Sequence, residues 1–140
     1  MNINPKDAIA NKKIPYSCVP STVIAELSVA MLEGARKYGR HNYRVTNILS
    51  SVYTDASKRH IDGYIEGEDI DEDSGLHHII KAIASLVILR DAMIQNKLID
   101  DRPPKSPKGW MKNLNNIVES IIKKYPDCKP VYIEGDQNGN

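Results

Sequence analysis

Ile79-Ile80-Lys81-Ala82-Ile83-Ala84-Ser85-Leu86-Val87-Ile88-Leu89 is the longest apolar stretch of the chain. Only Lys81 and Ser85 interrupt its apolar side chains, so a helix here would be hydrophobic on almost every side. Such a helix is buried on all sides in a globular protein. In a chain of 140 residues, this predicts either the centre of a helical bundle or a helix covered by another subunit.

Capping residues and the spacing of apolar residues predict four helices in all. They are expected over residues 21–39, 47–64, 75–95 and 110–125. Ser21 or Thr22 can cap the first of them, and Gly39 can end it. Asn47 and Ser74 are suitable caps for the second and third.

The two ends of the chain have a different composition. Prolines at positions 5, 15 and 20 predict an extended arm over residues 1–20 rather than a helix. Residues 134–140 are polar and are expected to form a disordered tail. Strand-like alternation is almost absent, with one weak candidate at residues 130–133. The whole pattern predicts one all-α domain over residues 1–140, a bundle of about four to five helices.

Net charge and cysteine content argue against several classes of protein. The net charge is only +1, whereas proteins that bind a nucleic-acid polymer usually carry a strongly basic face. The longest apolar run is too short to span a bilayer, so no membrane partner is expected. Cys18 and Cys128 lie far apart and form no metal-binding pair, which makes a reducing cytoplasm the expected location.

Six acids fall within eight residues in Glu66-Gly67-Glu68-Asp69-Ile70-Asp71-Glu72-Asp73. Crowded carboxylates repel one another unless water or a cation screens them. Asp71 and Glu72 follow Glu68 by three and four residues, so in a helix or turn they share a face and can hold Mg²⁺ or Mn²⁺. His78 follows as a partner for an acid or a phosphate. The alternative is a solvated acidic loop at a helix start.

Basic residues gather in two other segments. They are Arg36, Lys37, Arg40 and Arg44 around the end of the first helix, and Lys58-Arg59-His60 on the second. Metal-binding acids together with separate Arg and Lys donors suit polyphosphate chemistry, because the cations take the charge that the metal leaves uncompensated. The alternative is that these cations only complement a helix dipole. The sequence has no phosphate-loop motif and no nucleophile elbow.

Four segments in the same order carry a resemblance to a family. They are Asn4-Pro-Lys-Asp-Ala8 with Lys13-Ile-Pro15, Glu33-Gly-Ala-Arg-Lys-Tyr-Gly-Arg-His-Asn-Tyr-Arg44, Tyr53-x-x-Ala-x-x-Arg-His60, and Gly67-Glu-Asp-Ile-Asp-Glu-Asp-Ser-Gly-Leu-His-His78. On these residues the chain resembles the phage-rich dATP/dGTP diphosphohydrolases, which are MazG-like all-α nucleotide pyrophosphatases. The resemblance covers roughly residues 4–95.

The chain departs from that family at several positions. Tyr43 stands where the family usually has tryptophan, and Lys81 where it often has histidine. The broader MazG-like acid pattern is Glu-x-x-Glu, a spacer, and Glu-x-x-Asp. Glu68 and Asp71 match its second half, but on the first helix neither Glu26 nor Glu33 has an acidic partner three residues away.

The resemblance implies a MazG-like helical bundle that cleaves purine nucleoside triphosphates between the α and β phosphates. The substrates would be dGTP, GTP or dATP, and the products a monophosphate and pyrophosphate. The implied cofactor is Mg²⁺ or Mn²⁺, with Glu33, Glu68, Asp71 and Glu72 as ligands. The implied catalytic residues are Glu68, Asp71, Lys37, Arg59 and His78. The implied substrate-binding residues are Lys37, Tyr38, Asn42, Tyr43, Arg44, Arg59 and His60.

The resemblance also implies a homodimer or homotetramer in the cytoplasm of a phage-infected host. Some phage members supply dGMP for the synthesis of 2-aminoadenine nucleotides. Two alternatives stay open. One is a phosphohydrolase that releases triphosphate or only the terminal phosphate. The other is a non-catalytic helical module, nucleotide-binding or antitoxin-like, in which the acids serve solubility.

Overall fold

A computed structural model describes residues 2–136 and divides the chain into two compact units, Met1–Arg102 and Pro103–Asn140. The helices of the first unit are α1 (Pro5–Ala10), α2 (Ser21–Tyr38), α3 (Asn42–Val45), α4 (Ser50–Ile65) and α5 (His78–Ile94). It also contains a 3₁₀ turn (Tyr16–Cys18) and two short parallel strands, β1 (Ile48–Leu49) and β2 (Leu98–Ile99). The second unit contains α6 (Trp110–Lys124). The predicted all-α class is confirmed, while a single domain over residues 1–140 stays a prediction.

Helix α5 is the centre of the first unit and packs against α2 and α4. The core is a cluster of Ala30, Ile80 and Ala84, with partly buried apolar side chains of α2, α5 and the loop before α5 around it. Ala82 and Ala92 are also buried, and their small side chains let the helices approach closely. The central position predicted for this helix is therefore confirmed.

The expectation that α5 is buried on all sides is wrong for this chain alone. Leu86 and Val87 remain 45% and 37% exposed, and Ile94 at the end of the helix is more exposed still. The physical reason is that α2 and α4 cover one side of α5. The alternative, that another subunit covers the remaining side, stays a prediction.

Two of the predicted helix starts differ from those in the structure. Helix α4 begins at Ser50 rather than near Asn47, because Ile48 and Leu49 are extended and pair in parallel with β2. Helix α5 begins at His78 rather than near Gly75, which has a positive φ of 72° that a helix cannot use. By contrast, α2 ends at Gly39 as predicted, where φ is 96°.

The N-terminal segment is not the extended arm that its prolines suggest. A short helix forms over Pro5–Ala10, because Asn4 caps it by accepting a hydrogen bond from the Lys6 amide at 3.0 Å. Proline is well tolerated at the first helical position, where its missing N–H has no partner in any case. Residues 130–133 form no strand. Of the expected tail, residues 137–140 lie outside the described residues.

Helix α6 is strongly amphipathic. Its apolar residues are exposed, as are the lysines of its last turn. Across residues 2–136, no helix combines the length and the apolar character needed to cross a membrane.

Candidate functional site

An open cleft of about 670 Å³ is lined by α2, α3, α4, α5 and the loop that follows α2. Its charged lining residues are Glu33, Lys37, Arg40 and Lys81. Its polar lining residues include Tyr38, His41, Asn42, Tyr43, Tyr53 and His60. The size is that of a small-molecule or cofactor site, and the mixture of apolar walls with a few converging polar groups is typical of one.

The loop after α2 turns sharply at two residues with positive φ. Gly39 has a φ of 96°, and His41, which precedes α3, adopts the left-handed conformation with a φ of 66°. A non-glycine residue in that region is uncommon, and such conformations collect at binding sites. The turn brings Asn42 and Tyr43 to the edge of the cleft.

One carboxylate in the cleft holds two ammonium groups. The Oε1 atom of Glu33 accepts hydrogen bonds from Lys37 Nζ at 2.8 Å and from Lys81 Nζ at 3.0 Å. The hydrogen bond from Lys37 and the neighbouring charge of Lys81 hold the pKa of the Glu33 carboxyl below its usual range, against the opposing effect of burial. Glu33 therefore orders cations in the cleft, and its predicted role as a metal ligand stays untested.

Two imidazoles and one carboxylate converge beside the cleft. His60, on α4, lines the cleft, and its Nδ1 lies 2.9 Å from the Nδ1 of His78, the first residue of α5. One ligand atom from each of His60, His78 and Asp71 lies within 4.8 Å of the others. His78 is 7% exposed, so this cluster, the His60–Asp71–His78 group, is built partly into the interior.

A glycine on α4 makes room for the buried imidazole. A Cβ atom at Gly63 would stand 3.1 Å from His78 Nε2 and 3.2 Å from its Cε1. Both distances are tighter than an ordinary carbon contact. The His78 ring therefore packs directly on the backbone of α4, one turn after His60.

The acidic segment forms a folded loop rather than the helix that would align its carboxylates. Asp71 N donates to Leu76 O at 2.8 Å, and His78 N donates to Asp69 O at 2.8 Å. The carboxylate of Asp71 accepts from the Ser74 hydroxyl at 2.6 Å, a contact that, with the Ser74 amide, lowers the pKa of Asp71. These bonds fix Asp71 beside the two histidines.

Because of this loop, the predicted acid face of Glu68, Asp71 and Glu72 does not form on a helix. Asp71 joins the two histidines, whereas Glu72 is exposed. Glu68 Oε1 lies 3.1 Å from His78 Nε2, close enough for a charge interaction. The direction of approach does not make a hydrogen bond, and Nε2 is a buried nitrogen without a hydrogen-bond partner among the described residues.

Burial chiefly, and then the charges of His78, Lys81 and Arg59, lower the pKa of His60 below its usual 6.5, although Asp71 acts in the opposite direction. The imidazole of His60 is therefore neutral at pH 7, which is the form that binds metals. Without a cation, one Nδ1 must donate to the other across the 2.9 Å contact.

Two imidazoles and a carboxylate are a suitable donor set for a divalent cation. The buried Nε2 of His78 has no hydrogen-bond partner among the described residues, and a bound partner or a change of tautomer would remove that cost. Imidazole nitrogens suit transition-metal ions, and Mn²⁺ accepts a mixed nitrogen and oxygen set more readily than Mg²⁺, which prefers oxygen alone. The residues present therefore fit a divalent metal, with a donor set that differs from the four acids expected.

The predicted substrate-binding residues divide into two sets. Those that line the cleft are Lys37, Tyr38, Asn42, Tyr43 and His60. Arg59 is exposed on α4 outside the cleft lining, and Arg44 binds Asp91 of α5 through two hydrogen bonds of 2.7 and 3.0 Å. That pair ties α3 to α5, so the structure gives Arg44 an anchoring contact.

Two features of the site do not follow from the sequence. His60 is predicted to bind the substrate, but it lies beside His78, and the 18 positions between the two histidines match no recognisable metal-binding spacing. The ion pair of Lys81 with Glu33 is the second feature, because no local sequence pattern indicates a contact between residues 48 positions apart.

The part of the chain that contains this site matches a known protein family. The family model described as "dATP/dGTP diphosphohydrolase, N-terminal" matches residues 3–102, which include the cleft and the His60–Asp71–His78 group. A "dATP/dGTP diphosphohydrolase" of Salmonella phage PMBT28 is 29% identical over 119 residues, covering 84% of this chain and 38% of that relative. The chain thus spans well under half the length of this relative, and no solved structure matches. Because the family model covers most of the chain, the chain belongs to the family of dATP/dGTP diphosphohydrolase N-terminal domains.

Proposed function

We propose that this chain is a divalent-metal-dependent diphosphohydrolase that cleaves purine nucleoside triphosphates, dGTP, GTP or dATP, between the α and β phosphates. The products are the nucleoside monophosphate and pyrophosphate. One observation carries the proposal: a cleft containing two lysines and three tyrosines reaches His60, which belongs to a group able to hold a metal. The name of the phage relative, a dATP/dGTP diphosphohydrolase, supports the same activity.

His60, Asp71 and His78 are the proposed metal ligands, in place of the acid set Glu33, Glu68, Asp71 and Glu72. A divalent ion held there would supply Lewis-acid stabilisation of phosphate oxygens and would lower the pKa of a bound water. Mn²⁺ suits these donors better than Mg²⁺ does.

Glu68 is proposed to act through His78 rather than as a ligand. Histidines that bind metals usually donate their other ring N–H to a carboxylate, which fixes the tautomer. Glu68 Oε1 lies 3.1 Å from His78 Nε2, so a small rotation of this exposed side chain would complete such a contact. The Nδ1 atom of His78 would then be free of its proton and able to bind a cation.

The cleft residues are proposed to position the nucleotide. Tyr38 and Tyr43 present aromatic rings that can stack on a purine, and the Asn42 amide can pair with a base edge. Lys37 offers an exposed ammonium group to the phosphates. In the reaction, a water oxygen bonds to the α phosphorus and gives up a proton to a nearby carboxylate, while the bond to the α–β bridging oxygen breaks and pyrophosphate leaves with the electron pair.

Several finer points belong to the same proposal. The exposed apolar residues of α5 outside the cleft lining, Leu86 and Ile94, suit contact with a second subunit in a homodimer or homotetramer. A phage relative suggests action in the cytoplasm of an infected host, where dGMP could feed synthesis of 2-aminoadenine nucleotides. Arg59 stays a predicted cation for the leaving pyrophosphate.

Chromatography of products tests the proposal directly. The eight common ribo- and deoxyribonucleoside triphosphates are incubated with Mn²⁺ or Mg²⁺, using the wild-type chain, Asp71→Asn, and Glu66→Gln as an exposed acidic control. We expect dGMP or dAMP with pyrophosphate from the wild type and the control, and no turnover from Asp71→Asn. Release of triphosphate or inorganic phosphate, or nucleotide binding without turnover, would replace this function with one of the two alternatives.

A further inference from the structure

Lys81 is the most enclosed cation of the cleft. It lies in the first turn of α5, three residues after His78, so the two side chains share one side of that helix. Its side chain is 17% exposed, compared with 56% for Lys37. A lysine side chain this enclosed gives up part of its hydration, and anionic partners offset that loss.

We propose that Lys81 is a substrate-binding residue that contacts the nucleotide phosphates, and that Glu33 holds it in the cleft until substrate arrives. This inference rests on the proposed function, because it requires a triphosphate in the same cleft.

The charges in the cleft favour an anionic ligand. Glu33 contributes one carboxylate, and both Lys37 and Lys81 donate to the same oxygen of it, leaving the trio with one positive charge in excess. An ammonium group has three N–H donors, and Glu33 accepts from one of those of Lys81. Phosphate oxygens can accept from the other two and then replace Glu33 as the acceptor for the third.

Lys81 also lies on the side of the cleft where the reaction is proposed. His60 lines the same cleft, and Lys81 is among the charges that lower its pKa, after burial and the charge of His78. Because Lys81 and His60 line one cleft, a triphosphate whose phosphates meet the His60–Asp71–His78 group lies within reach of Lys81.

The competing explanation is purely structural. The ion pair with Glu33 connects α2 with α5, and its loss could destabilise the fold without any effect on substrate. The two roles predict different results when the ammonium group of Lys81 is removed. Loss of a substrate contact weakens binding of a triphosphate but not of a nucleoside. Loss of a purely structural ion pair lowers stability and changes the affinities for both ligands equally.

Isothermal titration calorimetry separates the two roles. The ligands are α,β-methylene-dGTP, which cannot be cleaved between those phosphates, and deoxyguanosine, both with Mn²⁺. The variants are Lys81→Met and, as a matched control, Lys58→Met, an exposed lysine of α4 paired with Asp62 outside the cleft lining. We expect Lys81→Met to weaken binding of the triphosphate analogue about ten- to a hundredfold, the range for hydrogen bonds to charged groups, and to leave deoxyguanosine unchanged.

Glu33→Gln supplies a second test if Lys81→Met fails to fold. This change removes the competing carboxylate, so affinity for the analogue should stay equal or rise. A fall in analogue affinity in Glu33→Gln, or equal affinities in Lys81→Met and the wild type, would overturn the role of Lys81. If the wild-type chain itself binds no analogue, the proposed function fails, and the role of Lys81 fails with it.

Discussion

Replacing Gly63 with alanine tests the packing on which the site depends. The added Cβ would stand 3.1 Å from His78 Nε2, 3.2 Å from Cε1 and 3.4 Å from Cδ2. His78 is buried at the start of α5 and its amide is tied to Asp69, so the ring has little freedom to retreat. The neighbouring helices or the ring must therefore shift by a few tenths of an ångström.

Two effects of opposite sign set the magnitude. Alanine is favoured over glycine inside a helix by about 1 kcal/mol. Overpacking a well-packed interior costs about 1–3 kcal/mol. The net change in the free energy of unfolding should lie between about zero and a loss of about 2 kcal/mol, where the loss corresponds to several degrees in Tm.

Gly34→Ala is the matched control, because Gly34 lies inside α2 and a Cβ there would meet nothing within 4 Å. This variant should gain about 1 kcal/mol. Urea unfolding followed by circular dichroism gives both values, and their difference isolates the contact with His78. If Gly63→Ala gains as much stability as Gly34→Ala, the imidazole does not rest on α4 and the geometry of the site is wrong.

Three further outcomes follow from the structure. Arg44→Met should lower the free energy of unfolding by about 0.5–1 kcal/mol, since the Arg44 side chain of its ion pair with Asp91 is about half exposed. A double-mutant cycle with Asp91→Asn should give a coupling energy of that size. Additive losses in the cycle would mean that the pair does not connect α3 with α5. The pKa of Asp71 is lower in the folded chain, so its contribution to stability is complete above the ordinary value of 3.8 and is lost as the pH falls below that value. Asp71→Asn should therefore make the free energy of unfolding depend less on pH in that range. An unchanged pH dependence would contradict the Ser74 contact. In an NMR titration without metal, His60 should have a midpoint below 6.5; a midpoint above it would mean that Asp71, not burial, dominates.

The sequence predicted the features of the fold that depend on local patterns. The apolar run of α5 places that helix in the middle of the unit, and Gly39 ends α2 because a positive φ there is cheap for glycine. The start of α4 could not be predicted, since Ile48 and Leu49 extend to pair with residues 50 positions later.

The candidate site followed the same division. The cleft side chains around the end of α2 came from one continuous motif, and five of the seven predicted substrate residues line the cleft. The metal-binding group did not follow from spacing, because Asp71 reaches the two histidines only through a loop that Ser74 and Asp69 fold. Hydrogen bonds within the loop determine which of the nearby acids lies beside the histidines, and the spacing of residues on a helix does not reveal them.

Mn²⁺ binding shows whether His60, Asp71 and His78 hold the metal. Electron paramagnetic resonance reports free Mn²⁺ during titration of the wild-type chain, Asp71→Asn, His78→Ala and Glu72→Gln. We expect Asp71→Asn and His78→Ala each to lose most of their affinity for Mn²⁺, while Glu72→Gln, altered at an exposed acid, binds like the wild type. Normal Mn²⁺ binding in His78→Ala with loss in Glu72→Gln would mean that the exposed acids, and not the two histidines, hold the metal.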